Sequence, residues 1–238
     1  MLERATEGQV VMPFYLVCDV SGSMCGDMNE LNAGVADLRD EIQKDPVADD
    51  LAMLSIIAFD DTARTVVPLG FPSAIDLKPL TCGGLTNFSA AFREFHRAFQ
   101  ADRARLRSEG KRIFRPCVFF LTDGVPTSTD HTQVFQQLFG YDPATKQGNS
   151  SYPYITPFGF RQATEESMKA IAYPNFGEKK GRYFLAKNGV AISTLLKAMT
   201  GMIATSVLGS SLSATTGAPQ FVPPPTDAAP ELEGSFVD

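Results

Sequence analysis

Tryptophan is absent from the 238 residues, and histidine occurs only twice. The two imidazoles, His96 and His131, stand near no motif, so the chain offers no evident general base or catalytic triad. Four cysteines without a CxxC spacing give no zinc pattern. No apolar run approaches the ~20 residues needed to cross a bilayer. The first residues, Met1 to Gly8, lack the basic-then-apolar order of a secretion signal. Positive charge is also scarce: 21 Lys and Arg face 27 Asp and Glu, a net charge of −6, so general attraction to nucleic acid or anionic membrane is not expected. These features predict a cytoplasmic, non-catalytic protein without a membrane span.

What is present suits a globular fold. Hydrophobic residues make up 44% and charged residues 20%, enough for a full core. The most informative stretch is Phe14-Tyr15-Leu16-Val17-Cys18-Asp19-Val20-Ser21-Gly22-Ser23-Met24. A continuous apolar run that stops at Gly and small polar residues reads as a central strand ending at the edge of a sheet. Open α/β sheets place ligands at that end of their strands. A carboxylate and two hydroxyls on one tight loop suit a hard cation such as Mg²⁺ or Mn²⁺.

Two further segments share the character. Cys82-Gly83-Gly84-Leu85-Thr86-Asn87-Phe88 is a glycine loop presenting Thr86 before a helix, and Cys117-Val118-Phe119-Phe120-Leu121-Thr122-Asp123-Gly124 is a second apolar strand ending in Thr-Asp-Gly. Together the three loops can gather Asp19, Ser21, Ser23, Thr86 and Asp123 around one ion. In this pattern the sequence resembles the von Willebrand factor A family over roughly residues 10–208, and the three loops resemble its metal-ion-dependent adhesion site. The resemblance implies a Rossmann-like α/β fold with a mostly parallel sheet, one antiparallel edge strand and helices on both faces. It also implies a Mg²⁺, Mn²⁺ or Ca²⁺ ion with Ser21, Ser23 and Thr86 as direct ligands and Asp19 and Asp123 as anchoring carboxylates. The family's frequent Gly-Gly-Thr is here Gly83-Gly84-Leu85-Thr86, one residue longer.

Within that family the closest likeness is to the bacterial tellurium-resistance-associated, TerY-like group. It rests on Ser55-Ile56-Ile57-Ala58-Phe59-Asp60 and Thr122-Asp123-Gly124-Val125-Pro126-Thr127. This likeness implies a metal or stress response and kinase- or phosphatase-like partners that supply an Asp or Glu to the ion. The alternative is a regulatory subunit of a MoxR-type ATPase or metal-insertion complex. Two other readings fail. Haloacid-dehalogenase-like phosphatases need an acid two residues beyond the first aspartate, where Ser21 stands. Val20-Ser21-Gly22-Ser23-Met24 also lacks the three glycines of a dinucleotide fingerprint.

Helical spacing of Leu31, Val35, Leu38 and Ile42 predicts a helix over about 28–44, stopped by Asp45-Pro46. An apolar strand, 51–59, returns through a turn too short for a parallel crossover, so its successor is an antiparallel edge strand. Phe88, Phe92, Phe95 and Phe99 mark a helix buried on one face, with His96 off that stripe and exposed. Residues 140–151 read as a surface loop, 152–160 as a strand, 162–172 as a helix, 182–186 as the last strand and 190–207 as the last helix. Cys25 and Cys82 lie on two motif loops and are expected to be a reduced pair. Between Arg93 and Arg115 eight basic residues face three acids; within them Arg103, Arg105, Arg107, Lys111 and Arg112 are candidates for docking an acidic or phosphorylated partner. Beyond Gly209 the composition turns to Ser, Thr, Ala and Pro, which predicts a domain over 1–208 and a flexible acidic tail over 209–238. One of the tail's acids (Asp227, Glu231, Glu233 or Asp238) is a candidate to reach the metal loops in cis.

Overall fold

The structure is a computed structural model that describes residues 8–216, 219–227 and 229–237; the expectation for the first residues, and Asp238, lie outside them. In chain order the strands are β1 (Val10–Asp19), β2 (Ala52–Phe59), β3 (Ala63–Gly70), β4 (Arg112–Ile113), β5 (Cys117–Thr122), β6 (Tyr141–Asp142), β7 (Gln147–Gly148), β8 (Tyr154–Gly159), β9 (Arg182–Ala186) and β10 (Leu232–Phe236). The helices are α1 (Met28–Lys44), α2 (Pro46–Leu51), α3 (Phe88–Ser108), α4 (His131–Phe139), α5 (Glu165–Ile171) and α6 (Ile192–Thr215).

The main sheet runs β10-β9-β8-β5-β1-β2-β3, with β4 beside the start of β1. Its five central strands are parallel, and β3 returns antiparallel to β2 as the short turn requires. Because side chains alternate across a strand, each central strand feeds two cores. Phe14, Leu16 and Cys18 of β1 join Phe119 and Leu121 of β5 under α1 and α6. Tyr15 and Val17 join Val118 and Phe120 under α3, α4 and α5. The aromatic stripe of α3 closes that second core, with the Phe88 ring edge-on to Phe120 at 4.8 Å. His96 is half-buried rather than exposed, and burial lowers its pKa. Asp45 both ends α1 and caps α2, accepting from the Val47 and Ala48 amides.

The chain beyond Gly209 departs from the expected tail. Helix α6 continues through it to Thr215, and β10 pairs antiparallel with β9, giving the sheet a second antiparallel edge. Serines, which predict poor burial, are used here as internal hydrogen-bonding groups: Ser206 donates to the Val222 carbonyl, and Ser210 Oγ accepts from the Val222 amide at 2.9 Å. Glu231 and Glu233 therefore belong to the far edge, where β10 is the third strand from β5, about 14 Å at normal strand spacing. Helix α6 also revises the expectation about apolar runs, since it is long and apolar enough by composition to cross a membrane. Half of its most apolar window is buried in this fold, with Leu195, Met199, Ile203 and Val207 facing the sheet core.

Candidate metal centre

Strand register builds the site. Cys18 of β1 pairs with Leu121 of β5, so Asp19 ends its strand beside Thr122 and Asp123 follows one residue later. Here the strand order reverses, because β1 leads on to β2 at one side and β5 leads to β8 at the other. Crevices form at such a switch point, beyond the carboxyl ends of the strands. Asp19 accepts from the Ser21 amide at 2.9 Å through Oδ1 and from the Thr122 hydroxyl at 2.6 Å through Oδ2. The Ser23 hydroxyl donates to Asp123 Oδ1 at 2.8 Å, and the Ser21 and Ser23 hydroxyl oxygens are 3.2 Å apart. Asp19 and Asp123 are each only 1% exposed, while Ser23 is open to solvent.

The glycine loop is fastened to this pair. The Gly22 amide donates to the Gly84 carbonyl at 3.0 Å, and the Gly83 amide to the Val20 carbonyl at 2.8 Å. Gly84 has φ +72°, and a Cβ there would lie 2.5 Å from Asp61 Oδ2, so glycine is required on both counts. Asp61, in the turn between β2 and β3, braces the loop by accepting from the Leu85 amide at 3.1 Å. The extra residue, Leu85, projects outward at 59% exposure, which leaves Thr86 turned inward at 7%. A Cβ on Gly124 would meet Thr86 Oγ1 at 3.4 Å, so the Thr86 hydroxyl faces the residue next to Asp123. Thr86 is further held through its carbonyl, which accepts from the Thr127 amide at 2.9 Å, and Asn87 caps α3 immediately behind it. The five predicted residues thus come from three loops that touch.

Cys25 and Cys82 form a disulfide between the first and second of these loops, which corrects the expected reduced pair. The physical reason is that the Val20–Gly83 and Gly22–Gly84 backbone bonds already draw the two loops together.

Sequence reasoning missed Arg161. It stands just past the end of β8, beside β5, with φ +52°. Its guanidinium donates to Asp123 Oδ2 at 3.0 Å and to the Ser23 carbonyl at 3.1 Å, and it pairs with Asp27. A non-glycine residue in the left-handed region is strained, and these bonds hold it there. The available signal was positional: an arginine at the carboxyl end of a strand neighbouring Asp123. Thr122, part of the Thr-Asp-Gly motif but not among the predicted ligands, supports the site by donating to Asp19.

Two buried carboxylates with hydroxyls around them are an all-oxygen donor set of the kind hard divalent cations take. Burial pushes the Asp19 carboxyl above its usual range, its bonds from Ser21 and Thr122 partly offset this, and the nearby Asp123 adds to it. Asp123 has Arg161 as counter-ion, whereas Asp19 is hydrogen-bonded with no cation beside it among the described residues. An added cation at this point relieves that imbalance, so the residues fit the group. No set of three or more His, Cys, Asp or Glu side chains able to hold a metal occurs among the described residues, and ligation here depends on the hydroxyls. A cation and the Arg161 guanidinium compete for Asp123. Substituting Arg161→Gln is therefore expected to tighten Mn²⁺ binding roughly three- to tenfold. Calorimetric titration measures it, and unchanged or weaker binding shows that the two do not compete.

No protein-family model matches the sequence, and no curated protein matches it. Solved structures do. Proximal thread matrix protein 1 from the mussel byssus, with a zinc-occupied MIDAS motif, aligns at 14% identity and TM-score 0.56, covering 86% of this chain and 49% of that one. The von Willebrand factor type A structure from Catenulispora acidiphila aligns at 16% identity and TM-score 0.54, covering 85% and 43%. The pilus adhesin SpaC from Lactobacillus rhamnosus GG aligns at 16% identity and TM-score 0.56, covering 85% and 31%. The chain spans half or less of the length of each. The likeness is one of fold, and the fold is that of a von Willebrand factor A domain.

Proposed function

We propose that the chain is a non-catalytic protein-interaction module. It recognises an Asp or Glu of its partner through a divalent cation held by Asp19, Ser21, Ser23, Thr86 and Asp123. The observation that carries this reading is the convergence, from three touching loops at the switch point of the sheet, of two buried carboxylates and the Ser21, Ser23 and Thr86 hydroxyls. A cation bound there would supply a coordination position that a partner carboxylate can complete. The chain's own groups fix what surrounds it. Asp19 is locked by two donors, Ser23 faces solvent, and exposed Leu85 and Val125 (59% and 43%) flank the opening on the second and third loops. Exposed apolar side chains around a polar centre are an arrangement used for protein contact. The zinc-occupied motif of the byssus protein and the likeness to the pilus adhesin SpaC support the same reading.

Mg²⁺ is the proposed physiological ion. The narrower reading is a TerY-like stress-response adaptor in a bacterial cytoplasm, resting on the Ser55–Asp60 and Thr122–Thr127 stretches. It requires Cys25 and Cys82 to be reduced in the cell, because a persistent disulfide favours an oxidising compartment. The test is retrieval of partners on the immobilised chain in Mg²⁺ and in EDTA. The expected partner is held in Mg²⁺ and released by EDTA; an identical set of proteins in both contradicts the proposal.

A further inference from the structure

At the opposite end of the sheet from the metal loops, where β4 and β5 begin, lies a cleft of about 370 Å³. Arg103, Arg107, Arg112 and Arg115 line it over an apolar floor that includes Phe99 and Phe114. Local structure gathers these cations. Arg103 and Arg107 are one helical turn apart on α3. Gly110, at φ +73°, then reverses the chain, and the Lys111 amide donates to the Leu106 carbonyl at 3.0 Å, which brings Arg112 back beside the helix end.

None of the acids of this segment lines the cleft, and the one cleft cation they neutralise is Lys111, paired with Glu109. Asp102 accepts from Tyr15 and pairs with Arg105, while Glu109 takes Arg105 and Lys111. Arg105 also donates to the Leu69 carbonyl, so it belongs to the fold's own pairing rather than to the cleft. Arg103, Arg107 and Arg112 have no carboxylate partner among the described residues. Burial lowers the Arg103 pKa, and the neighbouring Arg107 charge lowers it further, as expected where positive charge is crowded without compensation. Arg115 is preorganised: its guanidinium lies 3.7 Å from the Tyr152 ring centre and donates to the Ser150 and Tyr152 carbonyls at 3.1 and 2.7 Å.

We propose that this cleft is a second binding site, separate from the metal centre, and that its ligand carries a phosphate monoester or diphosphate group. Three guanidinium groups without a carboxylate partner among the described residues, and a fourth held rigid, exceed what one carboxylate neutralises. They match the two or more charges and several acceptor oxygens of a phosphoryl group, which the planar guanidinium fork binds bidentately. The volume lies at the small end of the range for small-molecule sites.

Calorimetry in EDTA, with inorganic pyrophosphate and with a phosphoserine peptide beside its unphosphorylated twin, tests this without involving the metal. At least one phosphate probe is expected to bind with one site per chain. Arg103→Gln combined with Arg112→Gln is expected to weaken it at least tenfold, and Asp19→Asn to leave it unchanged. Arg107→Gln serves as the second variant if the double one does not fold. Preference for pyrophosphate identifies a soluble phosphate compound as the ligand; preference for the phosphopeptide identifies a phosphorylated partner. Absence of binding by both probes overturns the proposal. So does equal binding of the two peptides without pyrophosphate binding, or affinity indifferent to the arginine substitutions.

Discussion

Deleting residues 219–238 is expected to destabilise the protein by roughly 3–6 kcal/mol, a large share of the 5–15 kcal/mol typical of a domain. The segment contributes to the core rather than trailing from it. Leu232 and Ala229 are buried with the α1 and α6 cluster, and Phe221 stacks on Tyr154 with ring centres 5.0 Å apart. Fully burying a side chain of Leu or Phe size is worth about 1.5–3 kcal/mol. Truncation also strips the Ser206 and Ser210 hydroxyls of their Val222 partners and removes the Pro224 carbonyl that Arg182 reaches at 2.9 Å. It exposes the edge of β9 as well, an unpaired row of backbone groups prone to association. Urea unfolding of the full and truncated chains measures the difference. A loss below about 1 kcal/mol means that the segment is an appended tail after all.

The second large effect concerns Asp19. Asp19→Asn is expected to weaken divalent-cation binding at least 100-fold while leaving the metal-free fold as stable as before or slightly more so. The two halves have different causes. Asparagine keeps the shape and an acceptor for the Ser21 amide; its amide nitrogen, in place of Oδ2, reverses the Thr122 bond, so that the Thr122 hydroxyl accepts there and donates to the Gly124 carbonyl. It removes a charge whose burial already pushes the carboxyl above its usual range, which costs the metal-free fold free energy. It also removes the one buried carboxylate of the pair that no cation neutralises among the described residues. Thermal unfolding shows both halves at once. At 100 times its dissociation constant a bound ion stabilises by about 2.7 kcal/mol, and a variant weakened at least 100-fold should keep no more than about 0.4 kcal/mol of that gain at the same concentration. A variant that melts far below the metal-free parent would instead make Asp19 a structural residue.

Much of the fold was legible because its signals were local and repeated. The α1 range was readable from four apolar residues at helical spacing, and the β2–β3 return from a turn too short for a crossover. The three loops were readable because each ends an apolar strand or opens an aromatic-striped helix. What escaped depends on partners distant in sequence. Arg161 becomes part of the site only once β8 is placed beside β5. Cys25 and Cys82 are separated by 57 residues and meet only because backbone bonds zip their loops together. The chain after Gly209 is poor in large apolar residues, so its composition suggested disorder. Three of its large ones, Phe221, Val222 and Leu232, pack against α6 and the sheet. Arg105 resembles its basic neighbours in sequence, and only the positions of Asp102, Glu109 and Leu69 separate it from them.

The central claim is that the three loops hold one divalent cation through Asp19, Asp123 and their hydroxyl neighbours. Titration of the metal-free chain with Mn²⁺, following the free ion by its electron paramagnetic resonance signal, tests it most directly. The account predicts one bound ion per chain in the parent and none in Asp19→Asn at the same concentrations. A parent that leaves all the manganese free, or a variant that binds it as tightly as the parent, would contradict it.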